Sequence, residues 1–256
     1  MVIVQDIIEY MGTLCPPTLK QDWDNVGLNC GRRNAEVKKV LVALDPFAHV
    51  CKEASDWGAD LLLTHHPLIF RALSSVTDEN SVSRSLMLLV QNNINHFCAH
   101  TNLDSAVGGV NDVLAETLGL TNIDPVTDDP HNMLRCGQVQ EQSLEQFMEV
   151  VKRKLGAPGL RYCDGGKVVR KVAVGGGSCA GGMLDALAAG CDTFVTADVK
   201  YNQFWDAAEL GLNLIDAGHF YTENPVVAVL AAKISAAFPE VEVKISESHR
   251  DCMKYY

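Results

Sequence analysis

The chain has 256 residues, 47% of them hydrophobic, and this size allows one large domain or two small ones with a sizeable core. A formal net charge of −11 without a Lys/Arg cluster argues against nucleic-acid binding, because phosphate neutralisation drives that binding. No apolar run approaches the roughly 18 residues that cross a bilayer, and nine scattered cysteines without a C-x-x-C spacing argue against a secreted disulfide framework and fit a reducing cytoplasm.

In the first half of the chain, predicted strands alternate with predicted helices. Residues 3–14 suit an amphipathic helix, not a signal peptide, because Ile7 and Met11 share one face and Asp6 interrupts the apolar stretch. The later segments follow the same alternation: strands at 40–44, 60–64 and 94–99, and helices at about 47–57, 80–92 and 108–120. Short apolar strands that alternate with helices indicate an α/β fold with largely parallel sheets.

The second half repeats this alternation. Strands are predicted at 172–176, 192–197, 212–217 and 241–245, and helices at 180–189, 202–210 and about 224–238. The segment 121–133, rich in Asp, Pro and Thr, is the best candidate for a domain boundary. We therefore predict two tightly packed α/β domains, residues 1–125 and 126–256, and leave open whether the last strand pairs with the first domain.

Three stretches of the first half reappear in the second in the same order, which predicts an internal duplication. "KKVLVALDP" at 38–46 resembles "RKVAVGGGS" at 170–178, and "GADLLLT" at 58–64 resembles "GCDTFVT" at 190–196, both at an offset of 132 residues. "INHFCAHTNLD" and "LNLIDAGHFYTE" match at an offset of 119. Each half thus follows its third strand with a histidine, three spacers and a carboxylate.

Side chains that could bind a metal ion stand at the carboxyl ends of three predicted strands. In open α/β sheets ligands gather at such ends. Imidazole nitrogens and carboxylate oxygens together suit zinc, manganese, iron, cobalt or nickel. The six side chains are His65, His66, His100, Asp104, His219 and Glu223. The other four histidines lack this context, and among them His96 is expected to be a hydrogen-bonded core residue.

The adjacency of His65 and His66 indicates two ions instead of one. Neighbouring side chains of an extended backbone point to opposite sides, and Pro67 favours that extended backbone at His66. Two ions about 3.5–4 Å apart could take one ring each. A carboxylate could bridge such a pair, and either Glu223 or Asp104 could supply it.

Two further polar stretches allow more than one interpretation. "VGGGSCAGG" at 174–182 nominally fits G-x-G-x-x-A, so its backbone N–H groups could hold a phosphate. Tight packing of a strand against a helix explains its glycines equally well. In "WDNVGL" at 23–28, Asp24 and Asn25 could cap a turn or orient residues of the metal site.

These motifs together resemble a known family, the dinuclear-metal family of GTP cyclohydrolase 1 type 2 homologues, also called NGG-one-interacting-factor-three-like proteins. The resemblance covers nearly the whole chain. It is carried by "WDNVGL", "LLLTHHPL", "HTNLDSAVGGVNDVLAETLGL", "VAVGGGSCAGG", "TADVKY" and "DAGHFYTE". It implies two similar α/β domains with a metal cleft between them, and a ring-shaped homohexamer.

The resemblance also implies a ligand set for two divalent ions. Residues matching His65, His66, Asp104, His219 and Glu223 carry the metals in family members, with Glu223 shared by both ions. His100 matches a histidine beside the metals, which would be a sixth ligand or a proton-transfer group. The chain departs from the family pattern at Ala197, where members often have Gly, and at Asn202, where they often have His.

We therefore predict a metal-dependent hydrolase acting on a small molecule, with no direct nucleic-acid or membrane partner. His100 and Asp198 are the candidates for general acid/base catalysis; by the repeat, Asp198 lies where His66 lies in the first half. The family name implies opening of the imidazole ring of GTP, and phosphoester or peptide hydrolysis remains open. The alternative is a metal-binding regulatory or interaction protein without turnover.

Overall fold

The computed structural model describes residues 1–126, 129 and 131–256; Thr127, Asp128 and Pro130, within the predicted boundary segment, lie outside the described residues. Its helices are α1 (Val4–Leu14), α2 (Ala48–Trp57), α3 (Ser81–Gln91), α4 (Thr101–Ser105), α5 (Val110–Leu118), α6 (Leu144–Leu155), α7 (Met183–Ala188), α8 (Tyr201–Leu210), α9 (His219–Glu223) and α10 (Pro225–Ala237). Its strands are β1 (Gly27–Cys30), β2 (Lys39–Ala43), β3 (Leu61–Thr64), β4 (Asn95–Cys98), β5 (Thr121–Pro125), β6 (Arg135–Gln142), β7 (Arg161–Cys163), β8 (Val169–Val174), β9 (Thr193–Thr196), β10 (Asn213–Asp216) and β11 (Glu242–Ile245).

The chain divides into two compact units, each with its own sheet. The first comprises Met1–Ala106 and Val227–Asp251, and the second Val107–Val226 and Cys252–Tyr256. Strands and helices alternate in both, so the α/β class and the two similar units predicted from the sequence are confirmed. Among the helices of the described residues, none combines the length and the apolar character needed to cross a membrane.

The sheet of the first unit is parallel except at one edge. Its strand order is β1-β4-β3-β2-β11; β4, β3, β2 and β11 pair in parallel, and β1 pairs antiparallel with β4. Every residue of β3 is buried, which explains its unbroken apolar run "LLL". Helices α2 and α3 cover one face, where Val50, Ala54 and Leu89 pack against Leu41 and Leu62. The last strand of the chain, β11, therefore belongs to this unit.

The sheet of the second unit is mixed. Strands β8, β9 and β10 pair in parallel, whereas β5, β6 and β7 add antiparallel neighbours, in the order β5-β6-β8-β9-β10-β7. The sequence did not predict these three added strands, because they are short or carry polar side chains, as in "RCGQVQEQ" of β6. Helix α6 was also missed, although Ser143 caps its first turn and Gly156 ends it in the left-handed conformation.

Equivalent hydrogen bonds support the predicted duplication. Oδ2 of Asp60 accepts bonds from the backbone N–H groups of residues 38 and 39, at 2.7 and 2.9 Å. Oδ2 of Asp192 accepts the corresponding bonds from residues 170 and 171, at 3.0 and 2.9 Å. Both acids and all four donors are related by the offset of 132 residues seen in the sequence. The shared Asp of "GADLLLT" and "GCDTFVT" thus fixes the start of two neighbouring strands in each unit.

Candidate metal centre

The first unit places its candidate residues at the carboxyl ends of two neighbouring strands. His65 and His66 follow β3, and His100 follows β4 and immediately precedes α4. Because β3 and β4 are parallel, with Thr64 opposite Cys98, their ends lie at the same edge of the sheet. Asp104 lies in α4 and is buried. The predicted convergence of these residues within the first unit follows directly from the strand register.

The three imidazoles of this edge form a compact cluster. The ring centroids of His65 and His66 are 4.7 Å apart. The ring centroid of His100 lies 5.2 Å from that of His65 and 5.4 Å from that of His66. One ring nitrogen of each lies within 4.8 Å of the others. A carboxylate oxygen, Oδ1 of Asp104, lies 3.6 Å from Nε2 of His65. Three nitrogen donors with a neighbouring carboxylate suit a divalent transition metal or zinc.

Hydrogen bonds fix which nitrogen of His65 and His66 carries the proton. Nδ1–H of His65 donates to the carbonyl oxygen of Ala99 at 2.9 Å, and Nδ1–H of His66 donates to Oδ1 of Asp45 at 2.7 Å. Both acceptors require the proton on Nδ1, which leaves a lone pair on Nε2 of the neutral ring. Histidines that ligate metals characteristically donate their other N–H to a carbonyl or carboxylate in this way.

Asp24 fixes the tautomer of His100 in the same way, by accepting a hydrogen bond from Nδ1–H. Nδ1 of His100 lies 2.8 Å from Oδ1 of Asp24, whose Oδ2 accepts bonds from the hydroxyl and backbone N–H of Thr101. Burial alone would raise the pKa of Asp24, but the bonds from His100 and Thr101 lower it to about 2. Of the two sequence-based interpretations of Asp24, the structure therefore supports its role in orienting a histidine. Its bond from the N–H of Asn25 shows that it also stabilises its own turn.

The second unit brings together His219, Glu223 and Asp198. His219 and Glu223 are one turn apart on α9, with Nε2 of the ring 3.0 Å from Oε2 of the acid. Nδ1 of His219 lies 2.7 Å from Oδ2 of Asp198, which also accepts a 2.7 Å bond from the hydroxyl of Ser178. Burial raises the pKa of Asp198, but the bonds from His219 and Ser178 outweigh it and the net shift is downward. Asp198 is therefore an anionic partner of the His219 ring.

The backbone at Asp198 is unusual for a residue with a side chain. Its φ of +51° lies in the left-handed region, which costs a non-glycine residue of order 1 kcal/mol. Glycine is the residue that adopts this conformation most readily. The turn after β9 holds Asp198 in this conformation, and there its carboxylate contacts both His219 and Ser178.

The glycine-rich turn after β8 packs against the donors of α9. A Cβ on Gly177 would lie 2.2 Å from Oε1 of Glu223 and 3.1 Å from the ring of His219, and the φ of Gly177 is +61°. The N–H groups of Gly175, Gly176 and Gly177 already donate to acceptors inside the unit, at 3.0, 2.7 and 3.0 Å. These three amides are not available to a phosphate. The close approach of the backbone to Glu223 therefore explains the glycine at position 177 better than phosphate binding does.

Two residues that support the histidines were not predicted from the sequence: Asp45, which contacts His66, and Ser178, which donates to Asp198. Asp45 follows β2, whose end lies beside that of β3, so the strand-end argument that found His65 could have found it. Asn202, one of the departures from the family pattern, is exposed on α8, and its amide lies 3.4 Å from Asp206.

His96 is fully buried, as expected for a core histidine. Its Nε2 lies 2.8 Å from the hydroxyl of Thr64, whereas its Nδ1 has no hydrogen-bond partner among the described residues. Burial lowers the pKa of His96 to about 3, so the ring is neutral at physiological pH.

Comparisons with known proteins, by sequence and by structure, agree on one family. The family model Duf34/NIF3 (NGG1p interacting factor 3) matches residues 2–252. A Clostridium perfringens protein named GTP cyclohydrolase 1 type 2 homolog is 36% identical over 259 residues, covering 98% of this chain and 99% of that protein. The crystal structure of Staphylococcus aureus protein SA1388 matches with a TM-score of 0.90 at 27% identity, covering 100% and 99% of the two chains. A Bacillus cereus protein related to NIF3 matches with a TM-score of 0.90 at 26% identity, covering both chains completely.

Proposed function

Because this chain belongs to the Duf34/NIF3 (NGG1p interacting factor 3) family, we propose that it is a hydrolase working with a pair of divalent metal ions. The proposed ligands are the five residues of the sequence-based set: His65, His66, Asp104, His219 and Glu223. One observation carries the proposal. Each of the three clustered imidazoles of the first unit uses Nδ1 to bond an acceptor, which leaves Nε2 as the nitrogen with a lone pair.

The donor chemistry fits such ions. Neutral imidazole nitrogens beside carboxylates suit zinc, manganese, iron, cobalt or nickel, and the donors alone do not choose among them. When bound, a pair of such ions lowers the pKa of a water molecule and stabilises a developing negative charge. The carboxylates of Asp104 and Glu223 are buried. Burying a charged carboxylate costs free energy, and a bound cation would offset that cost.

The residues around the ligands have distinct tasks in this proposal. His100 holds or transfers a proton at Nε2, while Asp24 keeps its Nδ1 protonated and stabilises the imidazolium that forms. Asp198, a candidate acid/base residue in the sequence, contacts Nδ1 of His219, and this contact favours a positioning role. Glu223, one turn from His219, would help to hold the ions together with that histidine.

The proposed reaction is opening of the imidazole ring of GTP with release of formate. Support comes from the name of the Clostridium perfringens relative, GTP cyclohydrolase 1 type 2 homolog. The test combines metal analysis of the purified protein with formate release from GTP. We expect two ions per chain and turnover in the wild type, and loss of both in His65→Ala. His131→Ala, a change at an exposed histidine outside the cluster, is the control. Two bound ions without any formate would contradict the GTP assignment, and absence of bound metal would contradict the centre.

The second candidate function is a metal-binding regulatory or interaction protein, assembled as a ring-shaped homohexamer. The observation that favours it is an apolar surface on α8, where Tyr201 and Trp205 are 80% and 60% exposed and one turn apart. Light scattering of the purified chain tests the assembly, with Trp205→Ala as the variant. A hexamer that dissociates when the metal is chelated, in a protein without turnover, supports this second function. A hexamer unaffected by chelation argues against it.

A further inference from the structure

We infer that Trp23 and Phe70 form a stacking platform for the heteroaromatic ring of the substrate, an inference that rests on the proposed function. Both side chains are large, apolar and open to solvent, with 61% and 47% of their surface exposed. Their ring centroids are 5.6 Å apart, and their planes meet at 61°. In this edge-to-face contact the two rings do not stack on each other. A broad ring face therefore stays open, and such a face can stack on a planar ligand.

The platform adjoins the histidine cluster of the first unit. The ring centroids of Trp23 and Phe70 each lie 6.1 Å from that of His100. His100 in turn contacts the rings of His65 and His66. A planar ring stacked on the platform would therefore lie beside the group proposed to transfer the proton. Ring opening needs a proton-transfer group close to the ring, because the bond that breaks lies within the ring itself.

The two loops that carry the platform are joined by hydrogen bonds. The side-chain amide of Asn25 donates to the carbonyl oxygen of Ile69 at 2.6 Å. The backbone N–H of Ile69 donates to Oδ1 of Asn29 at 3.0 Å. These bonds hold the segment of Trp23 against that of Phe70 before any ligand arrives. A preorganised pair loses less conformational freedom on binding than two independent side chains.

Chemistry favours a ring over a phosphate as the occupant. Indole and phenyl faces bind planar bases by stacking and offer no charge to an anion. The platform thus assigns to the first unit the recognition of the purine ring, independently of the phosphates.

The test uses guanosine, which has the ring and lacks the phosphates. Equilibrium dialysis against the zinc-loaded protein should show binding by the wild type. Trp23→Ala and Phe70→Ala should each weaken it about tenfold, the effect typical of losing one stacking face. Trp23→Phe should retain most of the affinity. Tyr162→Ala, which removes an aromatic side chain of comparable exposure from the second unit, should leave it unchanged.

The outcome is separate from that of the proposed function, because dialysis measures binding and formate release measures turnover. The inference is overturned if wild-type protein binds no guanosine at the solubility limit of the nucleoside. It is also overturned if the alanine variants bind as tightly as the wild type, in which case the two aromatic residues face a protein partner or solvent. Should Trp23→Ala fail to fold, Phe70→Leu, which keeps an apolar side chain without the ring, decides in its place.

Discussion

Oδ1 of Asp45 lies 2.7 Å from Nδ1 of His66, and this contact joins the ends of two parallel strands, β2 and β3. Ala43 and Thr64 are opposite each other in the sheet, so the acid and the ring each lie two residues beyond that pair. Strand register therefore aligns the histidine with its carboxylate. The pairing of the two strands therefore determines the tautomer of His66, in which Nε2 is able to bind a metal.

Removing the charge of Asp45 should weaken metal binding. In Asp45→Asn the amide can turn its NH2 group towards Nδ1, which disfavours the tautomer that binds through Nε2. We expect the affinity for Zn²⁺ or Co²⁺ to fall by about 10- to 100-fold, measured by competition with a chromophoric chelator. Asp56→Asn changes an exposed acid that pairs with Lys52 and should have no effect. Equal metal affinity in Asp45→Asn and wild type would contradict the role of the Asp45 charge in orienting His66.

Asp24 should affect turnover more than metal content. Asp24→Asn removes the carboxylate that holds Nδ1 of His100 protonated, and groups with this role typically contribute about 100-fold or more to the rate. We expect formate release from GTP to fall by about that factor with both ions retained. Nitrogen-15 NMR of the His100 ring gives a second measurement. The Asn amide can present its NH2 group to Nδ1, so the ring should no longer hold the single Nδ1–H tautomer. An unchanged ring spectrum would contradict the assigned role of Asp24.

Gly177 should not tolerate a side chain. In Gly177→Ala the new Cβ would lie 2.2 Å from Oε1 of Glu223, and the φ of +61° is strained for alanine. We expect the free energy of unfolding to fall by about 2 kcal/mol or more, measured by urea denaturation. Gly181→Ala is the matched control in the same glycine-rich stretch, since no neighbouring atom lies within 4 Å of its Cβ position. Equal destabilisation by both substitutions would mean that contact with Glu223 is not the cause.

Glu53 should make stability depend on pH in the acid range. Burial would raise its pKa, but bonds from the hydroxyls of Ser246 and Ser248, and from the backbone N–H of Glu247 and Ser248, lower it from 4.5 to about 2. Since the folded-state pKa lies below the unfolded value, the stabilisation is complete above about pH 4.5 and is lost as pH falls towards 2.

The variant Glu53→Gln tests this dependence. At pH 7 it should be less stable than the wild type by about 1–2 kcal/mol, a value reduced for partial solvent screening. The difference measured by urea denaturation should shrink as the pH is lowered below about 4.5. Glu240→Gln, at an exposed acid, should match the wild type throughout. A difference that is constant with pH would show that packing, not charge, is lost.

Sequence patterns predicted the parallel strands and their ends because those features depend on local residue types. The apolar run of β3, followed by His65 and His66, identified an edge where ligands gather, and the structure places His100 and Asp104 with them. The antiparallel strands β5, β6 and β7 escaped prediction, because polar edge strands lack the apolar signal. The left-handed backbone of Asp198 also escaped prediction, since it depends on tertiary contacts.

The pairing of β11 with β2 has a consequence for how the polypeptide is made. Lys39 lies opposite Glu242, so the edge of β2 is completed only after the intervening strands β3 to β10 have been synthesised. Until then the buried residues of β2 border an open edge, and such edges recruit strands from other molecules. Nascent or truncated chains that lack β11 therefore expose an edge at which aggregation is expected to begin.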